Sequence, residues 1–209
     1  MRMYIIRHGQ TPWNAKKRLQ GRSDIDLNEN GVRLARLTGE ALRDIPFDMA
    51  FTSPLIRARH TAECLLAGRH VPIIPDERLI EISFGVYEGK CFAGPEKNVP
   101  EEWFSSFFDA PENFKAAPGG ESLDDVEKRT ADFMRDICSR REFMDKTILV
   151  STHGCALRGL LNSLRESSRK DYWHGGVSKN CAVSVVDCEK VGSPVLVEEN
   201  HIYYEDSCL

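Results

Sequence analysis

Short apolar runs alternate with amphipathic stretches along most of the chain. Met3-Tyr4-Ile5-Ile6, Met49-Ala50-Phe51 and Thr147-Ile148-Leu149-Val150 read as buried parallel strands. Val71-Pro72-Ile73-Ile74 reads as a shorter strand, placed at an edge because Pro72 has no N–H for a ladder. Ala182 to Val186 and Val195 to Val197 read as two late strands, with a turn at Gly192-Ser193-Pro194. Between these runs the period changes to that of a helix. Asn28 is placed to cap a helix that carries Leu34, Leu37, Ala41 and Ile45 near one face. Ser122 and Asp125 form a capping-box pattern. The helix after it steps through Leu123, Val126, Thr130, Phe133 and Ile137 by threes and fours.

Strand and helix in alternation predict an α/β fold: an open, mostly parallel sheet with helices on both faces. Ligands of such sheets bind at the carboxyl ends of the strands. One segment, from about 91 to 120, breaks the rhythm. It holds Pro95, Pro100, Pro111 and Pro118 together with Trp103, Phe104, Phe107, Phe108 and Phe114. It reads as a small cap insertion with a short helix over Pro100 to Phe108. Its aromatics either pack on the parent domain or wall a substrate pocket.

A chain of 209 residues fits a single domain with such an insertion. Its net charge is -4, so no broad basic field points to nucleic acid or to an anionic membrane. An anion site has to come from a local concentration of Arg and His. The seven cysteines show no CxxC spacing, and neither a secretory leader nor a spanning apolar stretch is evident. A cytoplasmic location with reduced thiols is the expectation.

Three strand ends carry the candidate chemistry. The first continues into Arg7-His8-Gly9-Gln10-Thr11-Pro12, in which Thr11 can cap and Pro12 can open a helix aimed at the strand terminus. The second continues into Ser53-Pro54-Leu55-Ile56-Arg57, where Ser53 can cap a helix that carries Arg57 near its start. Strand Thr147 to Val150 leads to Thr152-His153-Gly154. Parallel strands bring these ends to one rim, where His8 with Arg7, Arg57 and His153 can converge.

In combination these residues resemble the histidine phosphatase superfamily, which includes the cofactor-dependent phosphoglycerate mutases. The pattern RHGxTxxN is met by Arg7, His8, Gly9, Thr11 and Asn14, and SxLxRAxxTA by Ser53, Leu55, Arg57, Ala58, Thr61 and Ala62. The pattern LxExxxGxxEG is met by Leu79, Glu81, Gly85, Glu88 and Gly89. The SHG element appears with Thr152 in place of serine.

The resemblance implies one histidine phosphatase domain over residues 1–209, of the phosphoglycerate mutase-like fold. It implies that His8 is the nucleophile and becomes a phosphohistidine. Arg7 and Arg57 would grip the phosphoryl oxygens with Asn14 as a neutral donor, and His153 would donate to the same oxygens, most usefully as an imidazolium. Glu81 would be the general acid. Glu88 is expected at most to hold its loop, Gln20 and Gly21 to lie near the site, and Arg59, His60 and Arg158 to be structural or solvated. No metal and no cofactor is expected; the partner is a small phosphorylated metabolite.

Three functions compete: a phosphatase, a phosphoglycerate mutase using the same phosphohistidine, and a non-catalytic phosphate-binding module. The module needs the arginines but not a nucleophile matched with an acid. In the mutases the family glutamate is typically followed by arginine, and an arginine pair in the insertion grips the substrate carboxylate. Here Glu81 is followed by Ile82-Ser83-Phe84, and Cys91 to Glu127 contains no arginine, only Lys97 and Lys115. The chain ends soon after Tyr203-Tyr204-Glu205-Asp206, so no long tail is expected over the site. Hydrolysis of a phosphomonoester is therefore the leading expectation.

Overall fold

The computed structural model describes residues 1–166 and 168–205; Asp206 and Cys208 lie outside the described residues. Twelve helices and strands position the site. In chain order they are β1 (Arg2–Arg7), α1 (Pro12–Ala15), α2 (Glu29–Ala41), β2 (Met49–Thr52), α3 (Ile56–Leu65) and β3 (Ile73–Pro75). There follow α4 (Glu101–Asp109), α5 (Leu123–Ser139), β4 (Thr147–Thr152), α6 (Gly154–Asn162), β5 (Val183–Cys188) and β6 (Pro194–His201). The strands form one six-stranded sheet in the order β3-β2-β4-β1-β5-β6. β1, β4, β2 and β3 run parallel, and β5 and β6 add two antiparallel pairings at the far side.

Alternation along β1 divides the core into two layers. Met3 and Ile5 face α5 and α6, packing with Phe133, Ile137, Leu157 and Leu160. Tyr4 and Ile6 face α2 and α3, packing with Leu34, Ala35, Ala62 and Leu65. A strand buried on both faces has to be apolar at every position, which is why MYII shows no period of two. The third cluster joins Leu19, Ile82 and Phe84 to the 91–120 segment through Val99, Phe107, Trp103 and Phe114.

Several local expectations need correction. The helix after Asn28 ends at Ala41, and Leu37 is 39% exposed. Its buried face is Gly31, Leu34, Ala35, Thr38 and Gly39. A Cβ on Gly39 would lie 2.5 Å from the Leu65 carbonyl oxygen, so close approach to α3 selects small residues there. The edge strand begins at Ile73, after Pro72. The helix opened by Pro12 is a single turn, too short to offer a useful dipole to an anion. α3 begins at Ile56 with Leu55 at its N-cap and no side-chain cap, so Ser53 is free for another role.

Candidate active site

Arg7 pairs with Thr152 in the parallel ladder between β1 and β4. The ladder continues one step, with the His8 N–H donating to the Thr152 carbonyl at 2.9 Å. His8 and His153 therefore leave neighbouring strand ends together, with ring centroids 5.1 Å apart. His8 is 2% exposed. Its Nδ1 lies 2.7 Å from the Gly9 carbonyl, which can only accept, so Nδ1 carries the proton and Nε2 keeps its lone pair. Burial lowers the His8 pKa well below the ordinary value, and the nearby cations of Arg57 and Arg7 push the same way.

His153 is fully buried beside His8. Its Nε2 lies 2.7 Å from the Ser53 hydroxyl, which also accepts from the Leu55 N–H at 3.3 Å. The Ser53 hydroxyl can donate to Nε2, which would leave the hydrogen of the neutral ring on Nδ1. Nδ1 is buried and has no hydrogen-bond partner among the described residues. Burial, and next the Arg57 cation, hold the His153 pKa well below its usual value. Burial beside the Arg57 cation thus favours the neutral ring over the imidazolium in the ligand-free protein.

Arg57 is fully buried, and its two terminal nitrogens donate to the carbonyls of Ser23 and Gly21 at 2.8 and 2.7 Å. Its Nε has no partner. Burial lowers its pKa to about 10, with Glu81 and Asp24 acting in the opposite direction. Arg7 donates to the Ser178 carbonyl, and its Nε too is buried without a partner. Burial also lowers the Arg7 pKa, opposed first by the Glu81 charge. Asn14 lines the same pocket, but its Oδ1 accepts from the Thr11 N–H at 3.1 Å in a capping box, so only its amide end can donate onward.

The loop that grips Arg57 is itself tied down by Glu88. That carboxylate accepts from the N–H groups of Arg22, Ser23 and Phe84 at 3.0, 2.8 and 3.1 Å. Gly21, at φ 54°, lies against it: a Cβ there would sit 2.2 Å from the Glu88 Oε1.

Glu81 reaches the start of α6. Its Oε2 accepts from the Cys155 N–H at 3.2 Å, and its Oε1 from those of Ala156 and Ile82 at 3.1 and 2.9 Å. His153, at the N-cap, makes no side-chain cap of its own. Glu81 fills that role from across the fold and is fixed in place by it. Gly154 leaves room between the groups: a Cβ there would lie 3.7 Å from both the Arg7 Nε and the Glu81 Oε2.

Arg7, His8, Asn14, Arg57 and Glu81 line one pocket of 320 Å³, along with Arg18, Gln20 and Gly21. Phe84, Phe92, Phe104, Phe107, Phe108 and Trp173, with Leu19, Gly154, Cys155 and Val177, make up the rest of its wall. Both readings of the aromatic segment hold in part. Trp103 and Phe114 pack inward, whereas Phe104 and Phe108 face the pocket. Arg59 pairs with Glu63 at 3.6 Å and His60 with Asp26 at 2.8 Å. Arg158 is buried and bonded to Glu199 at 2.8 Å, hence structural and not solvated.

Sequence reasoning missed the Ser53 contact with His153, the backbone grip on both arginines, and Trp173. Ser53 lay inside a recognised pattern, which could have marked it. Trp173 follows no periodic pattern and gave no signal.

A model of the histidine phosphatase superfamily (branch 1) matches residues 3–201. A 2,3-bisphosphoglycerate-dependent phosphoglycerate mutase of Cytophaga hutchinsonii is 34% identical over 178 residues, 82% of this chain and 81% of the mutase. Phosphoserine phosphatase 1 of Hydrogenobacter thermophilus is 28% identical, with 94% of this chain and 90% of that protein covered. Among solved structures, Bacillus stearothermophilus YhfR superposes with a TM-score of 0.87 at 31% identity, covering 96% of this chain and 97% of its own.

Proposed function

The chain belongs to branch 1 of the histidine phosphatase superfamily, and from that premise we propose that it hydrolyses a small phosphomonoester through a phosphohistidine on His8. The observation that carries this reading is the tautomer of His8. Nδ1–H donates to the Gly9 carbonyl, which leaves the Nε2 lone pair for phosphorus.

In this reading Nε2 attacks phosphorus while the bond to the leaving alcohol breaks. The buried, unpartnered Nε atoms of Arg7 and Arg57 and Nδ1 of His153 donate to the non-bridging oxygens. The Asn14 amide adds a fourth donor. Glu81 Oε2 accepts one backbone N–H and Oε1 accepts two, so Oε2 is the oxygen with room for a proton. Glu81 gives that proton to the leaving alkoxide. It then takes one from the water that displaces His8 from phosphorus. The two arginines neutralise the phosphoryl group, so the reaction needs no metal. Six described cysteines without disulfides support a reducing, cytoplasmic setting.

The test is phosphate release from a panel of phosphomonoesters after dialysis against EDTA, with alkaline trapping of labelled enzyme. Release without added metal and label on His8 are expected, and His8→Ala should lose both. Label elsewhere, or activity restored only by a divalent ion, would contradict the reading. The 34% identity to a mutase supports a second reading. Phosphoglycerate interconversion faster than the best hydrolysis would favour it.

A further inference from the structure

The phosphoryl end of the pocket is polar and the remainder is built from rings. Phe92 and Phe104 stack at 5.2 Å, and Phe104 and Phe108 meet edge to face at 5.3 Å. Phe108 and Trp173 lie 5.0 Å apart, so the wall closes between α4 and a loop after α6. The polar atoms of these aromatic neighbours are already used. The Trp173 indole N–H donates to the Phe107 carbonyl. The Tyr172 hydroxyl is turned to Cys155 at 3.2 Å. A ligand therefore meets carbon surface there.

Among the described residues, Arg18 is the one cation on this half of the wall. Arg7 and Arg57 belong to the phosphoryl end. The remaining cation on the wall, Arg18, donates to the Gly89 carbonyl at 2.9 Å and lies 3.6 Å from Glu96. Lys97 is paired with Glu101, and neither it nor Lys115 lines the pocket. A carboxylate in this space would meet only Arg18, which already bonds a carbonyl and lies near Glu96, so it would lose its water for a weak return. An aryl or bulky alkyl group would instead cover the half-exposed rings of Phe92, Phe104, Phe108 and Trp173.

We propose that the preferred substrate is a phosphomonoester whose leaving group is an apolar, ring-bearing alcohol without a carboxylate, seated against Phe104, Phe108 and Trp173. This rests on the phosphatase reading and adds the substrate class.

The experiment compares kcat/KM of the full chain for benzyl phosphate and 2-phenylethyl phosphate with that for phosphoserine and 3-phosphoglycerate. All four leave as alkoxides, so the comparison reads binding of the leaving group more than its departure. The ring-bearing esters should be favoured roughly 10- to 100-fold, the gain from burying one aromatic side group. Phe108→Ala should remove a larger share of benzyl phosphate activity than of phosphoserine activity. Phe108→Leu, which keeps apolar volume, should retain more of it. The wild-type comparison stands even if a variant folds poorly. Phosphoserine or 3-phosphoglycerate hydrolysed as well as the ring-bearing esters, with label on His8, overturns the substrate class alone. No phosphate from any of the four, and no label, overturns the phosphatase reading with it.

Discussion

Ser53 Oγ stands 2.7 Å from His153 Nε2, although the two residues are a hundred positions apart. The contact exists because β2 and β4 are parallel neighbours and end together, with Thr52 opposite Ser151. In the phosphohistidine reading it orients the His153 ring and supports a hydrogen on Nδ1.

Ser53→Ala should therefore lower kcat about 10-fold, the worth of one well-placed buried hydrogen bond. Ser53→Thr, which keeps the hydroxyl, should restore most of it. Steady-state rates on one aryl ester give the comparison. An unchanged kcat in Ser53→Ala would show that His153 is oriented by something else.

Glu81→Gln should reduce turnover of alkyl esters by about 10²–10⁴, the usual share of a general acid. The loss should shrink for p-nitrophenyl phosphate, whose leaving group needs little protonation. The amide keeps one oxygen for Ala156 and Ile82 and loses the acceptor for Cys155, so the melting temperature should fall by a few degrees. Equal losses on both ester types would assign Glu81 a purely structural role at the start of α6.

Gly21→Ala places a methyl group 2.2 Å from the Glu88 Oε1 in a backbone conformation at φ 54°. The loop must shift, and the carbonyl that aligns Arg57 shifts with it. Inorganic phosphate should inhibit this variant about 10-fold more weakly, since a charge-assisted contact is degraded. An inhibition constant equal to that of the unmodified protein would separate Arg57 from phosphate binding.

Two histidines with lowered pKa values make stability depend on pH. His8 and His153 are neutral in the folded chain because burial and nearby arginines oppose the imidazolium. Unfolded, both titrate near the ordinary value of about 6.5. Below that pH the unfolded chain binds the extra protons. The stabilising effect of the neutral rings is complete above about pH 6.5 and declines as pH falls toward the folded values. Each contributes a slope of up to about 1.4 kcal/mol per pH unit. Melting temperatures between pH 7.5 and 5 should fall, and should fall less steeply in His153→Ala. The unprotonated His8 nucleophile should likewise persist below pH 6.5, so kcat/KM should not drop there with an ordinary histidine profile. A flat stability curve would refute both statements.

Periodicity alone determined the strand runs, the capped helix at Ser122, the placing of Arg7, His8 and His153 at strand ends, and of Arg57 on the helix that follows a strand end. These follow from local rules: apolar runs bury on both sheet faces, and polar residues at their ends must face the rim. Tertiary structure decided what those residues do to one another. It gave Ser53 to His153 instead of to a helix cap, withheld the imidazolium by burial, and set Glu81 on the amides of α6. It also divided the aromatics of α4 between core and pocket. None of these depends on nearby sequence. Each rests on which distant backbone or side chain is brought within hydrogen-bond or van der Waals reach, and on how little water remains there.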